Sequence, residues 1–189
     1  MEEPKRKIIA QLEIDGRTTF KELARIIGYS SMGAKKIVDK LLRQKAIKIS
    51  AQLNVKHFNI FPAVVLIEME KKEDMQRLLK RFKNCPRIVY IFTTIGGYNI
   101  IALVVAENKD TLESISIEEC SIRSEKGIRR SEFYPIRDVH YSSFLPIREH
   151  LTHKDLTAAP CGVDCTLCER YTSEKCVGCP STKHYRGSL

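Results

Sequence analysis

What the chain has little of narrows the field first. Nowhere in its 189 residues does an apolar run approach the ~20 residues that a membrane-crossing helix needs, so no membrane partner is expected. The opening MEEPKRKIIAQL is charged and lacks an apolar stretch ending at a small-residue cleavage site. No secretion signal is therefore expected, and the cytoplasm is the expected location. Cysteine is scarce over most of the length: only Cys85 and Cys120 precede residue 161. A reducing compartment argues against a disulfide framework for the seven present. Acidic charge is scarce at one end. Residues 1–60 hold thirteen Lys/Arg against six Asp/Glu, whereas the remainder holds nineteen against seventeen. A basic first third ahead of a nearly neutral body suggests a polyanion-binding module joined to something else. The apolar fraction of 43% and charged fraction of 29% are those of an ordinary globular protein, long enough for one large or two small domains.

Residues 1–60 read as three short helices and a wing. Ile8, Ile9 and Leu12 share a face of the first, which Asp15 to Arg17 end. The second opens on TFKE, where Thr19 and Glu22 can form a capping box, and closes at Gly28. The third begins at Ser30 or Ser31 and sets Ala34, Ile37, Val38, Leu41 and Leu42 on one stripe. Lys35, Lys36, Lys40 and Arg43 stay outside, and AIKISAQLNV alternates like a short β-hairpin wing. Two helices joined by a tight turn, the second with a basic face, make a helix-turn-helix suited to the major groove of double-stranded DNA. Lysine and arginine on that face would neutralise phosphates, while Ser30, Ser31 and Met32 stand where base edges are reached.

Residues 61–145 read in the order βαββαβ, a ferredoxin-like antiparallel sheet with helices on one face. FPAVVLIEME is the first strand, and EDMQRLLKRFKNC follows at helical spacing. RIVYIFTTIGGYNIIALVVA is a pair of strands turning at Gly96 and Gly97. KDTLESISIEECS is a weaker helix, taken to include Cys120, and GIRRSEFYPI closes the unit. Cys85 and Cys120 read as small core residues rather than ligands. His57, His140, His150 and His153 show no ligand spacing.

The order of these elements, with DGRTTFKELARIIGYSS at its core, resembles the Lrp/AsnC family of leucine-responsive-type transcription regulators over about residues 5–145. The resemblance implies an α+β chain that dimerises through the sheet of its second domain and assembles into a homodimer or higher even-numbered oligomer. In many members a G-x-Y-D turn binds a small effector. Here the matching residues are Gly96, Gly97, Tyr98 and Asn99, with an amide where a carboxylate is usual, which would weaken the hold on an ammonium group.

Residues 146–160 are polar and bounded by prolines, as a linker would be. Residues 161–189 then place Cys161, Cys165, Cys168, Cys176 and Cys179 as C-x3-C-x2-C-x7-C-x2-C, two C-x2-C pairs able to converge on one ion or cluster. So short a segment cannot bury a core of its own, and a metal would supply its folding energy. Five thiols exceed what one Zn2+ needs. Glycine beside cysteine and proline after the last one favour a [4Fe-4S] cluster, with Zn2+ as the alternative and His184 as a substitute ligand. The stretch also resembles short domains with a CGxxCxxC…CxGC pattern suspected of holding such clusters.

The expectation is a DNA-binding transcription regulator whose tail senses redox state or metal. A second reading comes from enzymes that resemble this layout, the siroheme decarboxylases, in which Arg129, Arg130, Arg137 and His140 would serve a carboxylate-rich tetrapyrrole. The basic face of the third helix argues for the regulator.

Overall fold

The computed structural model describes residues 2–189 and divides into two compact units, one ending at Ala51 and the other running from Gln52 to Leu189. The first unit is α1 (Glu3–Ile14), α2 (Phe20–Ile27) and α3 (Ser31–Arg43). Its helix boundaries follow from capping chemistry. Thr19 Oγ1 accepts from the Glu22 N–H while the Glu22 carboxylate accepts from the Thr19 N–H at 2.9 Å, the capping box that TFKE promised. Gly28, at φ 71°, closes α2 in the left-handed region, and Ser30 caps α3 by accepting from Gly33 N–H at 3.1 Å. Ile8, Leu23, Ala24, Ala34 and Val38 form the core of this unit.

Two local expectations fail here. Leu42 is 39% exposed, because the buried stripe of α3 ends at Leu41. Residues 46–52 form no strand, and the wing hairpin over 46–55 is absent among the described residues. That stretch has no Asn-Gly, Asp-Gly or other glycine turn to reverse the chain. The strand that does form, β1 (Leu53–Asn54), pairs instead with β6 (Phe144–Leu145) of the second unit.

The second unit is built on β2 (Phe61–Met69), α4 (Lys72–Arg81), β3 (Ile88–Thr93), β4 (Ile100–Ala106), α5 (Lys109–Ile117) and β5 (Ile128–Pro135). The sheet order is β3-β4-β2-β5, antiparallel throughout, which is the expected split βαβ arrangement. Alternation decides its faces. Ala63, Val65, Ile67, Ile100, Ala102 and Val104 point to the helical side and pack with Leu78, Phe82 and Leu112. Each such side chain contributes about 1.5–3 kcal/mol when fully buried. On the other side Tyr90, Phe92 and Tyr134 are about half exposed. Helix α5 stops at Ile117, where Glu118 turns to extended backbone, so Cys120 lies in the turn after the helix and not within it.

Residues 146–189 belong to this same compact unit. The stretch expected as a linker is partly buried: Ile147 and Ala159 are interior, and Leu156 bridges to Thr182. The cysteine-rich stretch, with α6 (Glu169–Thr172), docks on α5. Arg170 donates to Ser114 Oγ at 2.6 Å and to the Asp110 carbonyl at 3.1 Å, and the Val177 N–H donates to Thr111 Oγ1 at 3.2 Å. Gly178 must be glycine. It sits at φ 85°, and an added Cβ would meet the Tyr171 ring at 3.1 Å.

Arg87, only 5% exposed, sits where three segments meet. Its guanidinium pairs with Glu107 just past β4 and donates to the Gly178 carbonyl at 2.6 Å. Burial works against its charge, but the Glu107 carboxylate more than offsets that and its pKa is raised. Arg87→Ala leaves Glu107 buried without its cation and is expected to cost about 3–5 kcal/mol in urea unfolding. Replacing the pair together, by Met and Gln, is expected to recover most of that loss; a single variant as stable as the parent overturns this account.

Candidate functional site

In the first unit, Ser30, Ser31, Met32, Lys35, Lys36, Lys40 and Arg43 are all exposed. The ion pairs of that unit are Lys5–Glu2, Lys7–Glu3 and Arg17–Asp15, so among the described residues the four cations of α3 face solvent without a carboxylate partner. Ala34, Val38 and Leu41 anchor the opposite face, which fixes the direction in which the basic face points.

The turn between β3 and β4 has the glycines in place and a different role for Asn99. The Asn99 Oδ1 accepts from the Met69 N–H at 2.8 Å while its Nδ2 donates to the Met69 carbonyl at 2.9 Å. The side chain thereby extends the β2–β4 ladder beyond the pair Ile67 and Ile100. It is a strand clamp, with both polar atoms engaged, and not an open group waiting for a ligand. Tyr98 lies under the Arg130 guanidinium, 4.4 Å from ring centroid to cation, and its hydroxyl donates to Glu132. Gly97 passes close to Arg130, 3.5 Å from where a Cβ would stand.

Arg129 and Arg130 pair with Glu68 at 3.3 and 3.5 Å on the sheet edge, and Arg137 is almost fully exposed beside Asp138. None of these, nor His140, lines either described cavity. Arg129 and Arg130 charge the edge strand β5, which discourages strand-to-strand aggregation.

A cavity of about 600 Å³ lies between the turn that follows α4, helix α5 and the cysteine-rich stretch. Cys161, Cys165, Cys168, Cys176 and Cys179 line it, and so do Cys85 and Cys120, the two read from sequence as core residues. Sequence spacing missed these two because each is isolated in the chain; the shared Cys-Pro dipeptide at Cys85 and Cys179 was the available signal. Backbone amides face some of the sulfurs: that of Arg87 toward Cys85, that of Ser181 toward Cys179 and that of Cys179 toward Cys165. Such donors favour a thiolate. Burial dominates, pushing Cys85 up to about 12 and Cys165 to about 11, and raising Cys120 and Cys179. Cys168 lies 3.9 Å from the Glu118 carboxylate. His184 gives its carbonyl to the Tyr171 hydroxyl and is not part of the cavity wall. Among the described residues no three His, Cys, Asp or Glu side chains stand arranged to grip a single ion. No described helix is long and apolar enough to cross a membrane.

A winged helix-turn-helix DNA-binding family model matches residues 1–48, and the model of the Lrp/AsnC ligand binding domain matches residues 62–141. The two modules define a DNA-binding transcription regulator. Both modules are similar to those of Lrp/AsnC-type regulators. It is 27% identical over 134 residues to an uncharacterised HTH-type transcriptional regulator of Pyrococcus furiosus, covering 70% of this chain and 90% of the relative. It is 26% identical to the HTH-type transcriptional regulator LysM of Saccharolobus solfataricus, over 65% of this chain and 83% of that one. The solved AsnC of E. coli shares the fold at TM-score 0.62 and 22% identity, over 74% of this chain and 94% of its own. Residues 142–189, which carry all five clustered cysteines, lie beyond both family models.

Asn99→Asp replaces a donor with a carboxylate facing the Met69 carbonyl. It is expected to destabilise the protein by about 1–3 kcal/mol at neutral pH. The folded state raises the pKa of the new acid, so the folded state binds more protons and the deficit against the parent shrinks as pH falls. Parallel urea titrations across acidic and neutral pH check both statements; a deficit that widens on acidification contradicts them.

Proposed function

We propose that this regulator answers to the loading of its cysteine-lined cavity, with thiolates drawn from Cys161, Cys165, Cys168, Cys176 and Cys179 holding a [4Fe-4S] cluster in preference to Zn2+. The convergence of those thiols on one cavity, in the same compact unit as the ligand-binding domain, carries the reading. Zinc gathers four ligands around one centre, whereas a cluster attaches its thiolates to separate irons. The number of thiols lining the cavity, more than one zinc needs, supports the cluster. When bound, it would supply a redox-sensitive charge at that place. The chain's own part is to hold the thiolates by backbone amides, exclude water with the walls of the cavity and bury Arg87 nearby.

On the DNA side, α3 acts as the recognition helix. Ser30, Ser31 and Met32 approach base edges, while Lys35, Lys36, Lys40 and Arg43 meet phosphates. A homodimer or higher even-numbered oligomer, formed over the exposed sheet face of Tyr90, Phe92 and Tyr134, would present paired helices to a two-fold site. The regulator names of the curated relatives support this reading over an enzyme, in a cytoplasmic setting.

Two measurements test the proposal. Fragment binding followed against salt concentration is expected to lose about 2 from its log–log slope in the double variant Lys35→Ala, Lys36→Ala, about 1 for each phosphate contact removed. An unchanged slope removes α3 from the phosphate interface. Chelation of the anaerobically loaded protein is expected to change affinity for its DNA site about 5–150-fold, the usual range of coupling between two sites. Equal affinity of loaded and stripped protein sinks the sensing role.

A further inference from the structure

The cavity holds two thiols that the cysteine-rich stretch does not provide, and one of them repeats the local structure of a tail cysteine. Cys179 is followed by Pro180 and Ser181, and the Ser181 amide faces the Cys179 sulfur. Cys85 is followed by Pro86 and Arg87, and the Arg87 amide faces the Cys85 sulfur. Both prolines are fully buried. Proline fixes φ in the middle of the tripeptide, which holds the next amide in place over the preceding side chain. An N–H directed at sulfur stabilises the anion that a metal requires. Cys120 shares the cavity but lies in the turn after α5 with no proline following it.

The position of Cys85 is also held on its backbone side. Arg148 donates to the Cys85 carbonyl at 3.2 Å, fixing the turn between α4 and β3. From the other wall, Arg81 of α4 donates to the Cys161 carbonyl at 3.1 Å, and both Cys85 and Cys161 pack against the main core of the sheet. Cys85 is thus set rigidly against the cavity by contacts that a core cysteine of its size does not need.

We propose that Cys85 is one of the thiolate ligands of the metal, contributed by the ligand-binding domain and completing a set otherwise drawn from the tail cysteines, so that the metal of the cysteine-rich stretch is bonded directly to the turn between α4 and β3. The proposal rests on the metal-loaded reading above. It makes the site a cross-link between the regulatory sheet domain and its extension, rather than a self-contained knuckle tethered beside it.

The test uses the full chain, purified without oxygen and reconstituted with ferrous iron and sulfide. Iron, sulfide and zinc per chain and the visible spectrum are measured for the parent and for Cys85→Ala, Cys85→Ser, Cys120→Ala and Cys179→Ala. Cys85→Ala and Cys85→Ser are expected to lose bound metal at least ~10-fold, as Cys179→Ala does, since even the removal of an outer-shell partner costs that much. Cys120→Ala is expected to retain it. Circular dichroism on each variant establishes folding, and the serine variant decides the question if the alanine variant does not fold. Metal content and spectrum unchanged in a folded Cys85 variant overturn the proposal while leaving the tail site standing. A parent chain that takes up neither iron nor zinc overturns the metal reading itself, and the Cys85 proposal with it.

Discussion

The buried guanidinium of Arg87 holds together what the chain would otherwise keep apart. It stands just ahead of β3, pairs with Glu107 beyond the end of β4 and donates to the carbonyl of Gly178 between two of the clustered cysteines. Tyr185 adds its hydroxyl to the same Glu107, and Leu189 enters the second apolar cluster beside Val105. A buried charge is tolerated only where partners surround it. Satisfying Arg87 therefore requires the extension to lie against the sheet domain, and the two fold as one body from Gln52 onward. The extension is too small to bury a core of its own. It borrows one, and the cavity forms at the seam.

Much of the fold was legible from periodicity and capping. The three helices of the first unit and the βαββαβ order of the second follow from apolar spacing of 3.6 and 2, and Thr19 with Glu22 marked a helix start by local chemistry alone. The docking of the extension was not legible, because it is made by residues that local rules count against a helix. Ser114 and Thr111 weaken α5 by propensity, yet both are buried and bond to the extension. Asn99 reads as a weakened ligand group, and only the long-range pairing with Met69 shows it to be a clamp. Cys85 and Cys120 are remote in sequence from the cluster they join, so no spacing rule could reach them.

The position of the cavity gives the site its relevance to the regulator. Phe82, Ile88, Val104 and Ile122 belong both to the cavity wall and to the main core beneath the sheet. A change in what fills the cavity acts on packed side chains, which resist small displacements and respond by repacking. Strand β3 meets the cavity at Ile88, as β4 does at Val104. It begins at Ile88 on the cavity wall, passes a register shift between Ile88 and Tyr90, and brings Tyr90 and Phe92 out on the exposed face of the sheet. That irregularity turns Val89 inward to the second cluster. One short strand thus runs from the thiol-lined cavity to the exposed aromatic face of the sheet. The edge position of β3 leaves it with a single neighbour, β4, to hold its register. A strand paired on one side only shifts at lower cost than a central one, so β3 is held less firmly than β4 or β2. The physical demand on any signal from this cavity is that its two states differ in how they seat β3, because a ligand shifts an equilibrium only by its differential interaction with the two states.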